Sequence, residues 1–183
     1  MIGILPVSLE IDGVIYPINS DFRDALDIFQ AYNAKELSQL NKQLTMLEVI
    51  YGDNIPENRE EAIKQAVIFL DVKSSPAGGM GKEQLKTLDW EQDEQLLFAA
   101  VNAVTGYDVR ECEYMHWWTF YGYCQSISPD ALISHIVHIR HKRGSGEKMD
   151  KQEQKFYYEN RHLIDMQSSA DSYDDMMRQL RGE

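Results

Sequence analysis

The segment Tyr114-Met-His-Trp-Trp-Thr-Phe-Tyr-Gly-Tyr123 holds six aromatic side chains in ten residues and constrains the fold more than any other stretch. At about 100° per residue, a helix through it puts Tyr114, Trp117, Trp118 and Tyr121 on one face, with His116, Phe120 and Tyr123 roughly opposite. A helix apolar on both faces either lies at the centre of a fold or turns its second face to a partner. Burying such side chains is worth roughly 1.5–3 kcal/mol each, and Trp and Tyr also serve as interface anchors. Both readings are open at this level. Stacking of single-stranded bases on the rings would need a basic groove, and the neighbourhood has Glu111 and Glu113 against Arg110. The first face, with Phe22 and Leu97, supplies the candidate core: Phe22, Leu97, Tyr114, Trp117, Trp118 and Tyr121. The second supplies the candidate contact residues His116, Phe120 and Tyr123.

The helix carrying these rings is expected from about Glu111 to Ser126, and most of the chain around it has helical spacing too. Residues 1–18 are the exception. Val7, Leu9 and Ile11 alternate with polar positions, Asp12-Gly13 offers the positive-φ pair of a two-residue turn, and Val14-Ile15-Tyr16 follows. This predicts a β-hairpin, closed by Pro17, which cannot donate to a ladder. Asn19-Ser20-Asp21 then offers N-cap side chains to a helix whose apolar positions are Phe22, Ala25, Leu26 and Phe29. Leu37, Leu40, Leu44, Leu47 and Ile50 line a second helix ended by Gly52, and Pro56 with Glu57, Glu60 and Glu61 opens a third.

Lys73 to Gly81 is rich in Gly, Ser and Pro and resists regular structure, so residues 73–88 are expected as a flexible loop. Its glycines lack the Lys-Ser/Thr ending of a phosphate loop, and no strand precedes them. Asp89 caps the next helix, whose stripe of Leu96, Leu97, Ala100, Val101 and Val104 stops at Gly106. Ser128-Pro129-Asp130 launches another that carries Leu132, Ile133, Ile136, Val137 and Arg140. A last amphipathic helix is expected over residues 150–165. Residues 167–183 form an acidic tail whose apolar anchors are Met176, Met177 and Leu180, further candidate contact residues. The whole reads as a mainly α, multi-helix globular domain over residues 19–166 with an N-terminal β-hairpin packed into it, at a length that buries roughly 70% of the unfolded surface.

Charge excludes several functions. The 30 acidic against 18 basic residues give a net charge of −12, the wrong sign for coating nucleic acid. The excess is uneven: −7 over residues 1–72, −4 over 73–127, +2 over 128–164 and −3 over 165–183. The one basic zone, Arg140 to Lys155, could contact an acidic partner or the chain's own acidic half, but ordinary solvated surface is the simpler reading. His135, His138 and His141 recur at i, i+3, i+6, but no HExxH or CxxC accompanies them, so a polar helix face is the simpler reading and no metal or cofactor is expected. Cys112 and Cys124 read as free thiols. No nucleophile elbow, Ser-His-Asp set or kinase signature is present, and the chain is expected not to be an enzyme. It has neither a secretory n-region nor a span of apolar residues long enough for a bilayer, which predicts a soluble, cytoplasmic protein without membrane contact.

Several of these features recur together in a known family. Glu10-Ile-Asp-Gly-Val-Ile-Tyr-Pro-Ile18 is followed by Asp21-Phe22-Arg23, Trp90-Glu-Gln-Asp93, Ala99-Ala100 and Gly106-Tyr-Asp108. His116-Trp117-Trp118 with Phe120 comes next, and then Asp150-Lys through Phe156-Tyr157 to Asn160-Arg161. In this order and spacing the chain resembles the gene-product-fifteen proteins encoded in tail modules of long-tailed phages and prophages of Gram-positive bacteria. One departure is Thr119, where the family pattern has a basic residue. The resemblance implies a tail assembly chaperone, a non-enzymatic factor in the host cytoplasm that holds the tape measure protein while tail-tube protein assembles around it. Two other readings compete: a structural tail completion or connector protein, and an acidic inhibitor that mimics nucleic acid and blocks a host enzyme.

Overall fold

A computed structural model describes residues 3–34, 36–72 and 87–166. The expected loop at 73–88 falls almost wholly outside the described residues, as do the tail anchors Met176, Met177 and Leu180. The elements follow the mainly α pattern with an N-terminal hairpin. They are β1 (Ser8–Ile11), β2 (Val14–Pro17), α1 (Phe22–Asn33), α2 (Gln39–Tyr51), α3 (Arg59–Leu70), α4 (Glu94–Thr105), a 3-10 turn (Val109–Glu111), α5 (Trp117–Gln125), α6 (Leu132–Ser145), α7 (Lys151–Glu159) and α8 (Arg161–Ile164).

Where the sequence reads as one helical domain, the described chain divides into two compact units, the second beginning beyond α3 and interrupted by residues 113–122, which belong to the first. The boundary thus falls inside α5, after Gly122.

The first unit contains the hairpin, α1–α3 and the start of α5. Strands β1 and β2 are antiparallel, with Ile11 opposite Val14, Glu10 opposite Ile15, Leu9 opposite Tyr16 and Ser8 opposite Pro17. Asp12 (φ 51°) and Gly13 (φ 80°) make the turn in the left-handed region that a two-residue hairpin requires. Ile11 anchors the hairpin in the interior, and α3 packs beside β1. Asp21 caps α1 by accepting from the Arg23 amide at 2.9 Å. Helix α2 is turned from its expected orientation: Leu40 is 64% exposed, while Lys42, Met46, Leu47, Ile50 and Tyr51 are buried. The Lys42 ammonium accounts for the turn, because it donates to the Tyr32 carbonyl at 2.6 Å, an acceptor in the last turn of α1 where cations are favoured.

The second unit packs α4, α6, α7 and α8. Ile136, Ile139 and Ile164 form its centre, with Leu96, Phe156, Tyr157 and Leu163 against them. Gly106 (φ 80°) ends α4, as expected. Ser128 sits further from its helix than expected, in a turn before α6, which starts at Leu132. The expected single helix over 150–165 breaks at Asn160 into α7 and α8. Asp150 and Glu153 form a reciprocal capping box at the start of α7.

Arg140 departs from the solvated reading of the basic zone, which holds for the exposed Arg143, Lys148, Lys151 and Lys155. Its side chain is 3% exposed and forms a two-pronged ion pair with the buried carboxylate of Asp93, at 2.5 and 2.9 Å. Its remaining N–H groups donate to the carbonyls of Thr87, Leu163 and Ile164. Gln92 donates its amide to the carbonyls of Leu163 and Asp165, so two side chains from the start of α4 and from α6 clasp the end of α8. Arg140 shares the stripe of Ile133 and Ile136, which is why burial captures it, and the ion pair with its carbonyl ligands meets the cost of removing the charge from water.

Candidate partner-binding surface

The aromatic segment is built on a contact between residues far apart in sequence. Asp21 and His116 form an antiparallel β-bridge. The Phe22 amide donates to the Met115 carbonyl at 2.9 Å, the Trp117 amide to the Ser20 carbonyl at 2.8 Å, and the Met115 amide to Asp21 Oδ2 at 2.9 Å. These bonds hold Met115 and His116 extended, so α5 starts at Trp117, six residues after the expected Glu111. His116 then acts as the helix cap, its Nδ1 accepting from the Trp118 amide at 3.0 Å. That leaves the proton on Nε2, which donates to the Pro6 carbonyl at 2.9 Å and ties the N-terminal arm to the start of α5.

The late start changes which rings are inside. His116 is 3% exposed and Phe120 0%, so neither lies on a contact surface, contrary to the sequence reading. Phe120 stacks on Phe22 with centroids 4.3 Å apart and planes 10° from parallel, and lies against Trp117. Tyr114, expected in the core, is 54% exposed because it precedes the helix; its hydroxyl and that of Ser20 are 2.8 Å apart. Phe22, Leu97 and Trp117 are buried, and Trp118, Tyr121 and Tyr123 are half-buried. The buried arc of α5 is centred between Trp117 and Phe120, not between Trp117 and Trp118.

The two tryptophans have a task that periodicity does not disclose. Trp117 Nε1–H donates to the Leu70 carbonyl at 3.0 Å, and Trp118 Nε1–H to the Phe69 carbonyl at 2.8 Å. Both acceptors belong to the last turn of α3, whose carbonyls have no partner within the helix. The adjacent indoles therefore close the end of α3 while their rings fill the core beside it. Sequence could have suggested this only through the demand that buried Trp N–H groups find acceptors.

With His116 and Phe120 inside, the exposed apolar surface of the first unit lies elsewhere. Ile4, Leu5 and Val7 in the arm and Val14 and Ile15 in the hairpin are 41–70% exposed. No basic residue occurs before Arg23, whereas Glu10 and Asp12 lie in the hairpin. Asp12 accepts from the Asn58 side chain at 2.8 Å, which brings Glu57, Arg59 and Glu60, all exposed, to the turn end of the hairpin. The surface is apolar with an acidic margin.

In the second unit the three histidines of α6 are exposed, and His138 Nε2 lies 2.9 Å from Glu153 Oε1. Among the described residues no group of three His, Cys, Asp or Glu is placed to hold a metal ion, and no helix is long and apolar enough to cross a membrane. Neither cysteine forms a disulfide, and burial pushes the Cys124 thiol up to about 12.

The residues that tie the N-terminal arm, α1, α3 and α5 together are among those that carried the family resemblance: Asp21-Phe22, His116-Trp117-Trp118 and Phe120. A family model described as bacteriophage Gp15 protein matches residues 1–166. The chain belongs to the bacteriophage Gp15 protein family. Comparison with curated proteins and with solved structures gives no match. The matched range ends where the described residues end, so the described residues of both units lie inside it. His116, Trp117 and Phe120 of the aromatic segment are here buried inside the first unit.

Proposed function

We propose that the chain is a tail assembly chaperone that binds the tape measure protein in the host cytoplasm and helps tail-tube protein assemble around it, without enzymatic activity. The observation that supports this reading is the pairing of phage Gp15 family membership with an exposed apolar surface on a strongly acidic chain. A chaperone for a long helical protein must cover apolar stripes reversibly and keep the loaded complex soluble. Exposed aliphatic side chains supply the first property, and a net charge of −12 supplies the second.

Co-expression with the tape measure protein of the same phage tests the proposal. The tape measure protein is expected to become soluble and to co-purify only when this chain is present. Solubility independent of this chain overturns the reading. Stoichiometric amounts of the chain in purified virions, measured by mass spectrometry, would instead favour a structural tail component.

A further inference from the structure

The hairpin is a two-stranded sheet, and its two outer edges differ. Strand β1 packs with α3 and carries the charged Glu10. Strand β2 has neither protection at its turn end among the described residues: Val14 and Ile15 are 53% and 70% exposed, and no charged side chain occurs from Gly13 to Ile18. Natural proteins guard such edges with charge, proline or a covering element, because an open edge is a template for another strand. Pro17 guards only the far end.

The register shows which backbone groups are on offer. A two-residue turn closes on a hydrogen-bonded pair, here Ile11 and Val14, and pairs then alternate along an antiparallel ladder. The Ile18 amide donating to the Val7 carbonyl at 3.0 Å fits the same alternation. Ile15, in the intervening pair with Glu10, therefore points its N–H and C=O away from β1. Pro17 occupies the next such position, where its missing N–H costs the ladder nothing.

We propose that the outer edge of β2, centred on Ile15, receives an added strand from a partner protein: an extended segment that alternates apolar residues with lysine or arginine. The backbone of Ile15 supplies the pairing groups and its side chain the apolar contact. Charge selects the partner. Glu10 lies across from Ile15, Asp12 is in the turn, and Glu57 and Glu60 outnumber Arg59 beside it. A lysine laid over Ile15 keeps its stem on the apolar surface and its ammonium toward Glu10. A second copy of this chain would instead bring like charges together. The inference concerns one edge and one chemistry, and holds whether or not the partner is the tape measure protein.

The test uses the full chain and the probe peptide acetyl-Lys-Val-Lys-Val-Lys-Val-Lys-amide, with hydrogen exchange read by NMR. Saturating peptide is expected to slow exchange of the Ile15 amide by about tenfold or more. The same peptide with Glu for Lys should give no protection. Ile15→Lys, which leaves the backbone intact, should weaken peptide binding by about tenfold at unchanged melting temperature. Ile15→Pro removes the outward donor and should weaken peptide binding more than Ile15→Lys does. An unprotected Ile15 amide at millimolar peptide, or equal binding of the Glu peptide, overturns the proposal. So does concentration-dependent dimerisation that Ile15→Lys abolishes, since a second copy would then occupy the edge. Failure of the peptide result overturns this proposal and leaves the chaperone reading standing, whereas tape measure protein that is soluble without this chain overturns that reading alone.

Discussion

Trp118 stacks on the ring of Phe69, with centroids 6.2 Å apart, and donates its indole N–H to the backbone carbonyl of that same residue. One side chain thus packs against the last turn of α3 and satisfies one of its orphan acceptors, while Trp117 satisfies the next at Leu70. This joins two segments separated by more than forty residues through contacts that a different aromatic ring could only half reproduce.

Replacement of Trp118 by Phe separates the two roles. The ring stays and the N–H is lost, leaving the Phe69 carbonyl without that donor. The expected cost is about 1–2 kcal/mol of unfolding free energy, measured by urea denaturation. Trp117→Phe should cost more, because Trp117 is fully buried and the smaller ring also leaves a void.

Phe120→Ala tests the placement of the aromatic motif. Phe120 is fully buried against Phe22 and Trp117, so truncation should destabilise the first unit by about 3–5 kcal/mol. Tyr114→Ala, at a half-exposed ring whose hydroxyl meets Ser20, should cost about 1 kcal/mol or less. Reversed magnitudes in thermal or urea unfolding would restore the orientation that helical periodicity suggests.

How far the sequence carries is clear from these elements. The hairpin was legible because Asp12-Gly13 encodes its turn locally, and the end of α4 because Gly106 does the same. The start of α5 was not legible: it is set by the Asp21 carboxylate and the β-bridge to His116, a contact over 94 residues. Extending the helix back over Met115 and His116 put Tyr114 inside and Phe120 outside. The burial of Arg140 had a local sign, its place on the stripe of Ile133 and Ile136, but its partner Asp93 could not be read from spacing. The apolar pair Val14-Ile15 is plain in the sequence, but that both side chains stay exposed while β1 packs with α3 is visible only in the structure.

Asp93 and Arg140 yield a prediction of their own. Asp93→Ala leaves the guanidinium buried among the Thr87, Leu163 and Ile164 carbonyls without its counter-charge, and should cost about 3–5 kcal/mol. Arg140→Met removes the other charge and frees those carbonyls. Amides of residues 161–166 should lose hydrogen-exchange protection in both variants before those of α6 do, because Arg140 clasps that end of the unit. The double variant Asp93→Leu/Arg140→Met should recover part of the loss, which a purely surface ion pair would not show.

Acid should act on the second unit through Glu153. Its carboxylate accepts from the Lys142 ammonium at 2.6 Å, from the Asp150 amide at 2.7 Å and from His138 Nε2 at 2.9 Å. These contacts, Lys142 first, lower its pKa from an ordinary 4.5 to about 2. A group whose pKa is lower in the folded state binds fewer protons there than in the unfolded chain. Its stabilisation is therefore complete above about pH 4.5 and is lost as pH falls toward 2. The same Lys142 contact raises the lysine's pKa, so its share is present at neutral pH and fades only in strong alkali as pH rises through the folded value. Carbon-detected NMR should find the Glu153 carboxylate titrating near 2 in the folded chain. Glu153→Gln should lower the melting temperature at pH 7 yet leave it nearly equal to that of the parent chain at pH 2, where the parent's Glu153 is itself half protonated. A melting-temperature difference that stays constant across this range would assign the loss to the capping geometry of α7 instead of to charge.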